Sequence, residues 1–350
     1  MKRSLFIFIS LLSYCILMAQ PIYQIRHYSV NDGMSQGIVR TIIQDKKGFL
    51  WFGTWNGLNK FDGYTFKNYK TSYKDAYILN TNRLNHIVET KYGDIWCQTY
   101  DGRAYLFDIQ TEQFIDILRS IEESMKQNNY TEQIFSLPKG ISWVTFENGN
   151  AARIDEQLCK QGKGITLYSN FNQNLKGNKI NTIYEDSEGD EWILTNKGIS
   201  IIGEKQIDSD FPFQYIKETN GIIFLVSQTD KLASYNLKTK KLKFIEIPYP
   251  VSIIYEVKLL NQDILSLATD NGLVLYKIKE KEFQVIDIRT ATQPSNVVQA
   301  VYQDKQNELW IFPKATGVIR YNLSTNEKQH LFTPENEVIR YERKNKNVIF

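Results

Sequence analysis

Histidine and cysteine are scarce in this chain, and strong charge of either sign is missing. Three histidines and three cysteines among 350 residues leave little for metal or nucleophilic chemistry. His27, His86 and His330 fall near or within predicted strands and far apart in sequence, so no shared loop gathers them as a catalytic base would require. No cysteine has a second cysteine or histidine at metal-binding spacing, which argues against a zinc site. Cys97 and Cys159 are too few for a disulfide framework in a chain this long and read as free, buried thiols. With 42 basic against 39 acidic residues the formal charge is only +3. Binding a phosphate backbone favours a concentrated basic surface. A short cationic run such as Arg340-Tyr341-Glu342-Arg343-Lys344 reads as a solvated strand, so no nucleic-acid contact is expected. A Gly-rich phosphate loop and a Ser/His/Asp pattern are both lacking.

Long apolar runs are also missing, with one exception at the start. Lys2 and Arg3 precede an uncharged stretch from Leu5 to Leu17, and small Ala19 follows, which is the layout of a signal peptide over residues 1–19. Cleavage after Ala19 avoids placing Pro21 directly behind the cut. The run is shorter than the ~20 residues of a membrane span. Bulky Tyr14 before Cys15 argues against a lipoprotein signal, which wants a small residue there. Losing Lys2 and Arg3 brings the mature chain close to neutrality. That part is expected to be soluble and outside the cytoplasm.

What the sequence does have is self-similarity at a period of 40 to 50 residues, the mark of a propeller or solenoid. The clearest unit runs from Ile42 to Asp62, with Asp45-Lys46-Lys47-Gly48, then Leu50-Trp51-Phe52-Gly53-Thr54, then Gly57-Leu58-Asn59-Lys60-Phe61. A second copy spans Ile87 to Asp108, a third keeps Gly140, Trp143, Gly149 and Asp155, and a fourth runs from Ile183 to Ile199. The Trp-type place falls at Trp51, Trp96, Trp143, Trp192, Phe224, Leu265 and Trp310, giving seven units. Short runs rich in Ile, Val, Phe, Tyr and Trp read as strands, and Asp-x-x-Gly suits a tight hairpin whose Asp bonds turn amides. Gly48, Gly93 and Gly189 are expected to take positive φ there. The row of large aromatics is assigned to packing between neighbouring sheets. The fold class is therefore all-β, a seven-bladed β-propeller of four-stranded antiparallel blades over residues 20–335, with 336–350 opening a further blade or second propeller. Only Gln113 to Gln127 looks helical, between units two and three.

Gln44-Asp45-x-x-Gly48-x-Leu50-Trp51-Phe52-Gly53-Thr54-x-x-Gly57-Leu58-Asn59-x-Phe61-Asp62-Gly63 closely resembles the two-component regulator propeller repeat, strongest in units one, four and seven. The opening Tyr28-Ser29-Val30-Asn31-Asp32-Gly33-Met34-Ser35-Gln36 also resembles the start of those sensors. The resemblance implies a periplasmic input region of Bacteroidetes hybrid two-component histidine kinases, anchored in the inner membrane as full-length proteins. It further implies a second propeller, a β-sandwich and kinase domains beyond this chain, a homodimer as the signalling form, and ligands from glycan breakdown. Seen this way the chain is a truncated or split sensor without catalysis or cofactor of its own.

In a four-stranded blade the loop between strands two and three shares a rim with the link to the next blade. That rim would carry Trp55, Asn56, Tyr100, Asp101, Phe146, Asn148, Asn196, Lys197, Asp270 and Asn271, where flat rings beside amides and carboxylates suit an oligosaccharide. Trp55 leads, because Trp51 already serves packing. Asp45, Asp186 and Asp304 each supply one carboxylate per turn, too few for calcium. Two other functions remain open at this point: a secreted propeller lyase or glycoside hydrolase, and a structural protein-interaction propeller.

Overall fold

The structure, a computed structural model, describes residues 27–71, 79–119, 130–168, 175, 177–202, 207–208, 211–290, 294–315 and 317–331. Residues 1–19 and 336–350, for which a leader and a further blade are expected, lie outside them. Seven four-stranded antiparallel sheets follow one another along the chain, each with its strands in sequence order. Blade 1 spans 39–69, blade 2 84–115, blade 3 131–168, blade 4 180–208, blade 5 213–245, blade 6 254–286 and blade 7 298–331. Consecutive strands pair antiparallel within every sheet, so each blade is a simple meander.

The hairpin chemistry is as the Asp-x-x-Gly spacing requires. In blade 1, Asp45 Oδ1 accepts from the amides of Lys47 and Phe49, both at 2.9 Å. Gly48 closes the turn at φ +90°, where a side chain would be strained. In blade 7 Asn307 takes the glycine's place at φ +64°, a conformation Asn tolerates better than most residues.

Blades stack through alternating faces. Opposite residues of paired strands point the same way, so Ile43 and Trp51 face the following blade while Ile42 and Phe52 face the preceding one. Trp51, Trp96, Trp143 and Trp192 have no exposed surface. Trp51 packs with Leu84 and Ile87 of blade 2, and Trp192 with Phe213 and Ile216 of blade 5. The seam between blades 7 and 1 differs. Ile42 occupies the place of Ile87 in blade 2, yet Ile42 is 56 % exposed and Ile87 1 %. Across from it, Tyr302 and Phe312 of blade 7 are exposed and Trp310 is only half-buried.

Two expectations are corrected. Leu265 does not hold the Trp place in blade 6. Lys258 pairs with Ser266, so register puts Ser266 there and turns Leu265 to the opposite face, against Phe224 and Val226 of blade 5. A shift of one residue along a strand exchanges its faces, and a run of apolar residues such as Ile264-Leu265 hides which face is which. Nor is the start of Gln113 to Gln127 helical. Gln113–Ile115 is the fourth strand of blade 2, because pairing with Ala104–Asp108 buries Phe114 against Phe107, ring centroids 5.1 Å apart. Local propensity yields to that tertiary contact. Residues 120–127 lie outside the described part.

Candidate functional site

Each innermost strand carries a register irregularity at its second residue. Such bulges re-aim a side chain and raise local twist. They mark one end of the ring, and the loops between strands two and three gather at that end. The amide of Trp55 donates to Ile38 O at 3.3 Å, Tyr100 to Arg83 O at 2.8 Å, Glu147 to Tyr130 O at 3.0 Å and Asn196 to Lys179 O at 3.0 Å. The expected shared rim is thus built by one repeated backbone bond between hairpin and link.

Trp55 is held at the tip of a tight hairpin. Thr54 Oγ1 donates to Gly57 O at 2.9 Å, and Gly57 adopts φ +104° with its Cα against the Tyr69 carbonyl, leaving no room for a Cβ. The Gly57 amide reaches Asn82 O at 2.8 Å, tying the tip to the link that enters blade 2. That link presents Arg83. Its guanidinium carbon lies 5.5 Å from the Trp55 ring centre and 5.9 Å from that of Tyr100. Trp55 is 36 % and Tyr100 62 % exposed. On the next blade Tyr130 leans over Gly102 and remains exposed. Three rings and one guanidinium therefore line adjacent stretches of rim on blades 1 to 3.

The other rim residues are placed differently. Phe146 is buried among Val144, Leu118 and Cys159, so it belongs to the core between blades 2 and 3 and offers a ligand no surface. As the last residue of its strand, one place before the loop, it points inward. Asn56 Nδ2 donates to Ser35 O, Asn196 exchanges bonds with Asn178, and Asn271 donates to Pro250 O while accepting from Asn296. Asp270 Oδ1 accepts from the amides of Ser252 and Ile253. Asp101 takes the Thr99 hydroxyl and Asn148 the Asn150 amide. Asn56, Asn196, Asn271 and Asp270 thus latch hairpins to links, whereas Asp101 and Asn148 bond within their own hairpins. Lys197 is exposed on blade 4, away from the aromatic group. Sequence reasoning missed Arg83 and Tyr130, which lie in links between blades, where the repeat prescribes no residue type.

Elsewhere the reactive groups stay apart. The histidines sit before blade 1, on the inner strand of blade 2 and on the outer strand of blade 7; burial lowers the pKa of His86, and burial with nearby Lys328 lowers that of His330. Among the described residues no three His, Cys, Asp or Glu side chains are placed to hold a metal ion. A hollow of about 620 Å³ on the opposite rim is lined by Pro138, Tyr184, Ser187, Glu218, Thr219 and Gln262. Its carboxylates are already engaged: Glu218 accepts from the Ser187 amide and hydroxyl and from Tyr184, Glu185 from the Lys139 amide and Asp186 from the Trp192 indole.

Meander blades, the Asp-x-x-Gly hairpins and the buried aromatic row define a seven-bladed β-propeller. The family model for the two component regulator propeller matches residues 33–56, 174–197 and 292–312, which overlap blades 1, 4 and 7. The chain is similar to Histidine kinase P4 of Formosa agariphila, 58 % identical over 45 residues, which is 13 % of this chain and 3 % of that protein. Among solved structures it is similar to the extracellular domain of a putative hybrid two component system from B. thetaiotaomicron. That likeness has 22 % identity and a TM-score of 0.52, and it covers 84 % of this chain and 42 % of the other. The computationally designed Ika8 protein has a similar fold, with a TM-score of 0.53 at 10 % identity over 83 % of this chain and 85 % of the other. The chain thus spans less than half the length of its natural relatives in these matches.

Proposed function

We propose that this chain is the ligand-sensing input propeller of a two-component sensor, exported by a signal peptide over residues 1–19 and working in the periplasm. It recognises an oligosaccharide from glycan breakdown at the rim of blades 1 and 2 and catalyses nothing in this segment. Its partners are a second propeller and kinase domains of a full-length, membrane-anchored sensor, and the signal passes through a dimer. Residues 336–350 open the next blade or propeller.

One observation carries the reading of the rim. Most polar side chains there are used up in latches, whereas Trp55 and Tyr100 keep open ring area on either side of Arg83. Sugars bind through stacking of their apolar faces on such rings, with hydroxyls bonded at the edges. The repeats in blades 1, 4 and 7 support the sensor class. A ligand that binds only the folded state raises the melting temperature as its concentration passes Kd. Melting the purified chain against plant and host oligosaccharides should give a shift with one glycan class, abolished by Trp55→Ala. A cooperative melt that no glycan moves would overturn sensing at this rim.

A further inference from the structure

Arg83 narrows the ligand. Stacking engages only the faces of a guanidinium, whereas its five N–H donors lie in the plane and point outward. With its centre 5.5 Å from the Trp55 ring and 5.9 Å from the Tyr100 ring, the Arg83 group lies beside both aromatics, and such contacts leave N–H donors available. Other arginines of the propeller are clasped: Arg153 by Glu191, Arg289 by Asp287 and Arg320 by Glu308. Among the described residues no carboxylate meets Arg83. Asp101, on the blade 2 hairpin that carries Tyr100, accepts from the Thr99 hydroxyl at 2.5 Å. Arg40, likewise without a carboxylate, sits on the blade 1 bulge two residues beyond Ile38, whose carbonyl holds Trp55. A preset fork next to exposed rings is the arrangement that takes a planar anion joined to a stacking body.

We infer that the rim between blades 1 and 2 binds a glycan carrying a carboxylate, a uronate residue, with the carboxylate on the edge of Arg83 and the sugar ring against Tyr100 or Trp55. This rests on the reading of that rim as the glycan site. A cation serving packing alone would leave acidic and neutral sugars equivalent.

The test titrates the purified chain with oligogalacturonate and oligoalginate, with the same oligomers after reduction of their carboxyl groups to alcohols, and with a sulfated neutral oligosaccharide. A uronate chain should bind about tenfold or more tighter than its reduced form, as expected for a charged hydrogen-bonded pair. Arg83→Gln should remove that preference and keep the weaker neutral binding. Arg83→Lys should keep part of it, since the charge remains and the fork is lost. Lys314→Gln, an exposed cation on blade 7, should change nothing. Equal affinity for acidic and reduced chains, or a preference that survives Arg83→Gln or falls equally in Lys314→Gln, would overturn the inference and leave rim sensing intact if Trp55→Ala still abolishes binding. Tighter binding of the sulfated chain would reassign Arg83 to sulfate and overturn the uronate. Failure of every oligosaccharide would overturn both readings.

Discussion

The indole nitrogen of Trp51 donates to Oδ2 of Asp45 at 2.8 Å, locking the inter-blade aromatic to the first residue of its own hairpin turn. The same bond, also 2.8 Å, recurs from Trp192 to Asp186 and from Trp310 to Asp304. Where the Asp is missing, the next blade supplies the acceptor: Trp96 donates to Ser142 and Trp143 to Glu191. Asp45 thus serves an indole and two turn amides with one carboxylate, deep in the structure. Asp45→Ala leaves those donors without a partner and should cost about 2–4 kcal/mol, since unsatisfied buried donors are expensive. Asp304→Ala should cost clearly less, because water can reach half-buried Trp310. Urea unfolding of both variants checks the order; equal losses would mean that burial does not govern the bond's worth.

The seam between blades 7 and 1 gives a matched pair of probes. Ile42 and Ile87 hold equivalent places on their inner strands, one 56 % exposed and the other 1 %. Truncating the buried one should cost about 2–4 kcal/mol for lost transfer energy and a cavity. Ile42→Ala should stay within about 0.5 kcal/mol, as exposed substitutions do. Equal losses in urea unfolding would mean that blade 7 closes over Ile42 in solution.

A second contrast lies between blades 2 and 3, where Lys160 bridges Asp94 at 2.8 Å and Asp108 at 2.9 Å. Burial works against the charge of Asp108, but bonds from Lys160 and the Gln110 amide outweigh it and lower the carboxyl below its ordinary 3.8. Burial likewise opposes the charge of Lys160, and the two aspartates raise it above 10.5. A lowered carboxyl stabilises above its unfolded pKa and loses that contribution as pH falls through the folded value; a raised amine stabilises below its unfolded pKa and loses it as pH climbs through the folded value. The bridge should therefore act fully between about pH 4 and 10. Lys160→Met should cost about 2–3 kcal/mol at pH 7, less than a fully buried pair because the lysine keeps some solvent. The loss should shrink below pH 4 in stability curves; a pH-independent loss would assign it to packing.

Much of this architecture is legible from the chain because one motif serves both turn and core. Asp45, Gly48 and Trp51 announce a hairpin, its positive-φ residue and the side chain that fills the seam, and repetition fixes the number of blades. Degenerate units are harder. In blade 6 the strand Ile264–Thr269 is apolar on both faces, so sequence gives no sign that Ser266 faces the following blade. The rim was located by topology, but Asn56, Asn196 and Asn271 look like ligand groups until their bonds to the links are seen. Arg83 was hidden for a related reason. Its partners Trp55 and Tyr100 belong to different repeats, and only the ring brings them together.

The two thiols offer a test of the core that needs no substitution. Cys97 is fully buried between blades 1 and 2, and Cys159 is buried between blades 2 and 3; neither is paired. Burial drives the Cys97 thiol far above the usual range; burial, reinforced by nearby Asp94, pushes that of Cys159 up to about 11. Only the thiolate attacks an alkylating reagent. At pH 8 both should remain unmodified in the native protein and react together with unfolding, so that mass spectrometry across a urea series follows the global transition. Alkylation of Cys159 well before that transition would instead mean that the segment Cys159–Gln161 opens locally, ahead of the blade it covers. Modification of Cys97 in native buffer would contradict the packing of blade 1 on blade 2, since no solvent path reaches that sulfur while Trp51, Ile87 and Tyr105 stay in place.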